Sequence, residues 1–503
     1  METILSFLPI LTLLVSLLIL KLSAMRSSAI SMITALVICL FTFRPGIDGL
    51  TIIMGKGFGL ALFVILIIWG AIFLYNLVKE TGALDVINNN IKEIVEDRFL
   101  QFLLLSWVFS AFLQGIAGFG VPVIVVTPIL IGIGFDPAVS AAAVLVGHSW
   151  AISFGSMGSS ISAIDMVTET DPLKIVLFMA IFGIAAMIST GVAVSFIFDG
   201  VRGIRRGLPY VLATSAVMGI SLIVLAKAGM TSVMGLISGI FGIATILLIN
   251  LIRDRGRKIR LYKDKLNIVE AFLPYILIVV LSLAFYILSP SLKVTLDFPG
   301  YVSGSGVFVD AEDAYIKFNV LKYPFSVILI SSVISGIVFA SKKVLTGKTA
   351  STIVKNTVKK CASTTVTLVL LLIMAQIMMD SGMINSLAIF LVKVTKGFYP
   401  FIAPFIGLLG AFVTGSNTNS NVLFGSLQET AASTLGISTA VICAVQSIGA
   451  SIGGGIGPTT VALGATAAQI VGKENEIYSK TLKPKLIGAA VLGALDLMII
   501  YVF

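Results

Sequence analysis

Long apolar runs dominate this chain and decide what it can fold into. A helix needs about 17–25 mostly apolar residues to cross the hydrocarbon core of a bilayer. Runs of about that length lie near residues 4–22, 27–43, 56–78, 99–116, 172–199, 207–228, 231–252, 267–289, 322–340, 362–378, 398–413 and 484–503. Charged residues make up only 12% of the chain, against about a quarter in soluble domains. The sequence therefore predicts an all-α polytopic membrane protein.

The charged residues lie mostly in short loops between these runs, and the formal net charge is +10. Basic clusters follow the first run at Lys21 and Arg26 and occupy residues 202–206, 253–263 and 342–360. The positive-inside rule assigns these loops to the cytoplasm, which predicts a multi-pass plasma-membrane protein with its amino terminus outside. The acidic segment 290–320 then falls outside, as a small β-rich loop. Because no basic stripe is interleaved with aromatics, we expect no nucleic-acid partner.

Two stretches, residues 83–97 and 383–396, are predicted to lie parallel to the lipid surface. Each follows a similar triplet, residues 80–82 and 380–382, and further matches recur at the same lag of about three hundred residues. The loop charges orient the two copies oppositely. We therefore predict an inverted repeat, with residues 1–200 as the first copy, 201–265 as a linker helix pair with a basic cytoplasmic loop, and 266–503 as the second copy. Interrupted segments at matching positions, 114–160 and 414–460, indicate re-entrant hairpins, discontinuous helices and a substrate site at the membrane midplane.

The first interrupted segment contains Gln114, Gly115, Gly118 and Gly120. Glycines and the proline that follows them do not continue a helix without cost. They free backbone N–H and C=O groups, which are tolerated at membrane depth only where protein or a water-filled cavity satisfies them. A half-helix that begins here would direct its positive end at an anion. A simple kink or a close helix crossing is the alternative.

The second interrupted segment is an unbroken run of small or polar residues: Thr414, Gly415, Ser416, Asn417, Thr418, Asn419, Ser420 and Asn421. In lipid such a run is costly unless it lines something. Its hydroxyl and amide donors carry no fixed charge, which suits a carboxylate with a neighbouring hydroxyl. An extramembrane loop is the alternative. Ser153 and Ser447, in the small-residue segments after each break, complete the predicted substrate-binding set.

Two ionisable residues in apolar helices are candidates for proton coupling. His148 is the only histidine and can take up a proton near neutral pH, or it can be a neutral packing residue. Asp496 is a candidate because an intramembrane acid is usually functional, unless it lies near the outer interface. One histidine and three scattered cysteines give no metal site, and no nucleophile or phosphate-binding motif is present. We expect neither an enzyme nor a cofactor.

These segments resemble the lactate permease family. The likeness extends over nearly the whole chain and is carried by residues 80–83, 97–98, 111–122, 154–158 and above all 410–425. It implies symport of lactate or glycolate with a proton by alternating access, in an ion-transporter-type fold of the elevator kind with two hairpins. Sodium as the coupling ion, a dicarboxylate or sulfonate as the substrate, a passive anion channel and a homodimer remain open.

Three positions depart from the family pattern. Gln114 stands where the family usually has glutamate, and His148 where it usually has asparagine. Residues 453–459 read Gly-Gly-Gly-Ile-Gly-Pro-Thr, where the family usually reads Gly-Lys-Met-Ile-Ser-Pro-Gln. The missing acid and lysine are consistent with joint loss of a compensating pair. One hypothesis is that His148 has taken over the proton-carrying role.

Overall fold

The computed structural model describes residues 2–20, 22–95, 97–116, 118, 120–253, 264–288, 292–306, 308–321, 323–470 and 473–502. Within them, nine helices are long and apolar enough to cross a bilayer. The all-α polytopic fold class predicted from the sequence is therefore confirmed.

The first half is built from α1 (Glu2–Leu14), α2 (Ala24–Thr42), α3 (Gly46–Glu80), α4 (Ala83–Ile94), α5 (Arg98–Leu103), α6 (Ser110–Ile116), α7 (Val121–Gly132), α8 (Pro137–Gly147), α9 (Ser159–Asp165) and α10 (Pro172–Lys227). The second half contains α11 (Met234–Arg253), α12 (Ile268–Leu288), α13 (Pro324–Ser341), α14 (Gly347–Asp380), α15 (Met383–Thr395), α16 (Tyr399–Thr414), α17 (Asn417–Leu435), α18 (Thr439–Gly454), α19 (Pro458–Ala467) and α20 (Glu474–Tyr501). A π-helical stretch, Leu104–Phe109, joins α5 to α6.

The predicted runs 172–199 and 207–228 lie on either side of a break in α10, because the backbone leaves helical dihedrals at Asp199 and Gly200 and two helical segments result. One predicted boundary was wrong. Helix α14 begins at Gly347, well before the predicted residue 362, so that Lys360 lies on a helix and not in a basic loop. The polar first turns of α14 hid its start, because hydropathy detects only the apolar part of a helix.

The segment between α12 and α13 is β-rich, as predicted. Strand β1 (Lys293–Phe298) pairs antiparallel with β4 (Glu312–Asn319), and β2 (Tyr301–Val302) pairs with β3 (Phe308–Val309). The buried Lys56 of α3 holds this insertion against the helices, since its Nζ lies 2.9 Å from a carboxylate oxygen of Glu312 and 3.9 Å from one of Asp380. This contact connects the two halves of the chain at one end of α3.

The same order of elements occurs in both halves. Helices α3 to α10 and helices α14 to α20 each give a long helix, a short helix, a helix-turn-helix pair, a broken helix and a final long helix. Lys56 meets Asp380 at one end of the α3–α14 contact, while Asn76 Nδ2 donates to Thr357 Oγ1 at 2.9 Å towards the other end. Helices α3 and α14 therefore run antiparallel, which is the relation that an inverted repeat predicts.

The charged residue at the start of α5 ties three helices together. Asp97 caps α5 by accepting hydrogen bonds from Phe99 N and Leu100 N, and it pairs with Arg206 of α10 at 2.7 Å and with Arg253 of α11 at 2.8 Å. Burial alone would raise the pKa of the Asp97 carboxyl, but the backbone N–H groups and the Arg206 charge outweigh it and hold the pKa below its ordinary value. The carboxylate form therefore stabilises this end of the bundle.

Candidate functional site

Each half contributes a helix-turn-helix pair whose turn points towards the other half. In the second pair, α16 and α17 run antiparallel, with Ser420 Oγ donating to Gly407 O at 2.9 Å and Tyr399 Oη donating to Gln428 Oε1 at 2.6 Å. In the first pair, α5 and α6 lead through a turn into α7, whose cap Gly120 has a φ of +77°. Left-handed backbone of this kind is accessible to glycine at little cost.

The polar run 414–421 is only partly a break in the chain. Gly415, with a φ of +68°, ends α16, and Ser416 caps α17, so that Asn417 to Asn421 form the first turns of that helix. The predicted eight-residue interruption was therefore wrong. Ser416 Oγ accepts from Asn419 N at 3.3 Å, and this capping bond compensates for the missing helical partner of an N–H group.

Two broken helices cross next to these turns. Helix α8 continues through a 3₁₀ turn, His148–Ala151, before the chain re-enters helix at α9, and α18 stops at Gly454 before α19 begins at Pro458. Helix α9 packs on α17, and α19 packs on α7. Each half therefore places the end of its broken helix against the hairpin of the other half.

A cavity of about 300 Å³ lies where these elements meet α14. At roughly 30 Å³ per water molecule, it has room for a small solute with a few waters. The first half supplies Gln114, Gly120, His148, Ile152, Ser156 and Ser160, α14 supplies Lys360 and Thr364, and the second half supplies Gly415, Ser416, Asn417, Thr418, Gly454, Thr460 and Leu463. Of the predicted site residues, six line it: Gln114, Gly120, His148, Ser416, Asn417 and Thr418.

The lining of this cavity is basic. Among the described residues that line it, Lys360 is the one lysine or arginine, and none is an acid. The amino-terminal turn of α17 also faces the cavity, and the N–H groups of a first helical turn have no partners within their own helix. A helix N-terminus together with a lysine favours a bound anion.

A buried hydrogen-bond network holds the α17 turn against the break in the first half. Ser153 Oγ donates to Ser447 O at 2.8 Å and accepts from Asn417 Nδ2 at 2.8 Å and from Ser447 Oγ at 3.1 Å. Asn421 Nδ2 donates to Ser447 Oγ at 3.0 Å and to Ser160 O at 2.9 Å. Ser153, Ser447 and Asn421 therefore position the cavity wall without lining it.

The other predicted binding residues also lie outside the cavity lining. Thr414 Oγ1 donates to Gly410 O at 2.8 Å within α16, and Gly118 N donates to Ser156 Oγ at 2.8 Å, next to the cavity. Gly115 lies on the far side of α6, where an added Cβ would stand 2.5 Å from Leu236 N of α11. Gly115 therefore permits a close crossing of α6 and α11, which was the alternative interpretation of this glycine segment. Asn419 and Ser420, both buried, complete the α17 turns.

The two proton-coupling candidates occupy different places. His148 lines the cavity, and its Nδ1 lies 2.5 Å from Val144 O, which makes Nδ1 a protonated nitrogen that donates to this carbonyl. Asp496 lies within the protein and not at an interface with solvent, since its exposed fraction is 0%. Within the part of the chain that the structure describes, neither carboxyl oxygen of Asp496 has a hydrogen-bond partner. It does not line the cavity.

Sequence reasoning missed Lys360, Thr364 and Ser160 as lining residues. Lys360 was assigned to a loop, and only the contact of α14 with the helix-turn-helix pairs brings it to the cavity. A signal existed for Ser160, since it follows the small-residue segment that contains Ser153 and Ser156.

Comparison with known proteins adds the following findings. The sequence profile described as L-lactate permease matches residues 2–503. A glycolate permease of Escherichia coli K12 is 28% identical across 100% of this chain and 96% of its own length. An L-lactate permease of Streptococcus iniae is 32% identical across 86% of this chain and 91% of its own. The YdaH transporter of Alcanivorax borkumensis, a solved structure described as having an unusual topology, is 15% identical with a TM-score of 0.48 and covers 90% of this chain and 89% of its own.

Proposed function

Because the chain belongs to the L-lactate permease family, we propose that it imports a small monocarboxylate of the lactate or glycolate class together with a proton. The observation that carries this proposal is the lining of the cavity. Lys360 offers a basic amine, and Ser416, Asn417 and Thr418 offer hydroxyl and amide groups at the start of α17. A carboxylate accepts such donors, and a neighbouring hydroxyl of the substrate both donates and accepts.

Transport in this proposal follows alternating access of the elevator type. The cavity lies between α14 and the unit made of the two hairpins and two broken helices. Helices α3 and α14 form the fixed wall, and the hairpin unit carries the anion past it. Residues 1–200 and 266–503 are then the two inverted copies and residues 201–265 the linker, with the hairpins re-entrant from opposite sides of the membrane.

The coupling cation in this proposal is a proton. His148 is the candidate with access to the cavity, whereas Asp496 is a candidate through its unpartnered burial alone. In this proposal the amino terminus lies outside the plasma membrane, and the positive-inside rule applied to the basic loops supports that orientation. Uptake is then driven by the inward proton gradient.

Uptake by the purified chain in proteoliposomes tests this function. We expect labelled lactate or glycolate to accumulate above its external concentration when the lumen is made alkaline, and only to equilibrate without the gradient. A sodium gradient at equal pH is the matched control for the coupling ion. Accumulation of no small carboxylate under either gradient would reject the proposal.

Two further arms separate the alternatives. Competition by dicarboxylates and sulfonates shows whether a different anion is preferred, since a better competitor than lactate would replace the substrate class. If the labelled carboxylate enters but never exceeds its external concentration under any gradient, the protein is a passive anion channel. Asn417→Asp adds a negative charge to the cavity and is expected to lower lactate uptake at least about tenfold, because like charges repel at close range.

A further inference from the structure

Helix α20 buries a lysine that no part of the proposed function uses. Lys485 is 1% exposed. Among the described residues, its Nζ has no hydrogen-bond partner, and no acid lies within ion-pair distance of it. A buried ammonium without a counter-charge is costly, and an ionisable residue kept at membrane depth usually has a functional role.

The amine of Lys485 lies directly behind the cavity wall. A Cβ added at Gly455 would stand 2.6 Å from its Nζ, so that the amine fills the space of a missing side chain at the end of α18. The preceding residue, Gly454, lines the cavity, and so does His148 at the end of α8, a helix that packs on α20. The carbonyl end of α18 favours a positive charge there, although it does not replace a counter-ion.

The helices packed around α20 supply no ion-pair partner to Lys485. Helix α20 packs against α8, α10, α16, α18 and α19. The buried titratable residues at the end of α8, in α16 and in α18 are His148, Tyr399 and Cys443, and none of them is an acid. Among the described residues, no carboxylate lies within ion-pair distance of Lys485. An anion in the cavity would therefore be its nearest negative charge.

We propose that Lys485, and not His148 or Asp496, carries the coupling proton. This inference deepens the proposed function and rests on it. With the cavity empty, the side chain is a neutral amine. Entry of a carboxylate supplies the missing counter-charge, and the amine lone pair takes up a proton from water to form an ammonium. When the anion leaves on the other side, the ammonium returns that proton to water, and the amine is restored. One anion and one proton cross together, and no acidic residue takes part.

Linkage makes this coupling reciprocal. If the bound anion favours the protonated lysine, the protonated lysine must favour the bound anion by the same factor. An arginine at this position stays charged throughout, so it can attract the anion but cannot release the proton. A methionine of similar shape can do neither.

The test uses the full chain with Lys485→Arg, Lys485→Met and, as a matched control, Lys483→Met, which changes an exposed lysine on the same helix. Three quantities are measured: exchange of labelled lactate across proteoliposomes at equal pH, accumulation driven by a pH gradient, and proton uptake on lactate binding in weakly buffered detergent solution with an indicator dye. We expect the wild type and Lys483→Met to show all three. Lys485→Arg keeps exchange but loses gradient-driven accumulation and proton uptake. Lys485→Met binds lactate at least about tenfold more weakly.

Folding is checked by thermal unfolding of each variant. Removing an unpartnered buried amine is expected to leave the melting temperature of Lys485→Met equal to or above that of the wild type. The inference is overturned if Lys485→Arg still accumulates lactate under a pH gradient or takes up a proton on binding, or if Lys485→Met binds lactate as the wild type does. The proposed function itself fails if the wild type accumulates no small carboxylate under either gradient, in which case the inference falls with it.

Discussion

Replacing Ser153 with alanine should lower the free energy of unfolding, because Ser153 holds residues of the cavity wall in place although it does not line the cavity. Its hydroxyl accepts from Asn417 Nδ2 and Ser447 Oγ and donates to Ser447 O. Alanine leaves two buried donors without an acceptor. Each orphaned donor costs about 1–3 kcal/mol. Because the hydroxyl of Ser447 can rotate to another acceptor, we expect a total loss of about 2–4 kcal/mol in unfolding free energy.

A double-mutant cycle with Asn417→Ala isolates the contact. Unfolding of the wild type, both single variants and the double variant is followed in detergent with increasing dodecyl sulfate. Because Asn417→Ala removes one of the orphaned donors, the double variant should lose less than the sum of the single losses. Coupling energies between contacting residues are about 0.5–3 kcal/mol, and we expect about 1–2 kcal/mol here.

The control is Ser195→Ala, which removes an equally buried hydroxyl whose bond runs to Gly191 O within its own helix. It should change the unfolding free energy by less than about 1 kcal/mol, since no polar group in another element is left without a partner. Lactate uptake should fall in Ser153→Ala and persist in Ser195→Ala. Additive losses within about 0.5 kcal/mol in the cycle, or equal losses in the two serine variants, would refute the reasoning.

Substitutions at Asp97, Gly120 and Lys360, each with a control variant, test other parts of the structure. Asp97→Ala should lower the free energy of unfolding by about 1 kcal/mol more than Asp97→Asn does, because asparagine keeps the helix cap. The folded state lowers the pKa of Asp97, so the wild type should be more stable than Asp97→Asn at neutral pH. This difference in unfolding free energy should vanish as the pH falls through the folded-state pKa. Gly120→Ala adds roughly 1–2 kcal/mol of left-handed backbone strain and places a Cβ 2.0 Å from a leucine side chain of α19, so uptake should be lost. The control is Gly132→Ala at the other end of α7, which has open space around it and should transport normally. Lys360→Met should raise the KM for lactate at least about tenfold, and an equal effect in the exposed neighbour Lys359→Met would disprove a local role.

Much of the architecture follows from local features of the sequence. The lengths of the apolar runs predict the membrane helices, since lipid offers no partners to an open backbone. Gly82 and Gly382, with φ of +78° and +73°, start the short helices α4 and α15 at the predicted places. The charged, turn-rich insertion before α13 is β-rich, as predicted. These outcomes depend on neighbours along the chain, which a single sequence displays directly.

Only the tertiary structure shows which residues of the site line the cavity and which support it from behind. Asn417 lines the cavity while Asn421 supports it from behind, although both belong to one polar run, because Asn421 lies one helical turn further from the start of α17. Lys360 and Lys485 reach the cavity region from α14 and α20, far along the chain from the glycine breaks. Residues 453–457 carry no positive charge of their own, yet the fold brings an amine to them. Contacts between distant segments depend on which helices pack together, and that choice belongs to the whole bundle and not to any one segment.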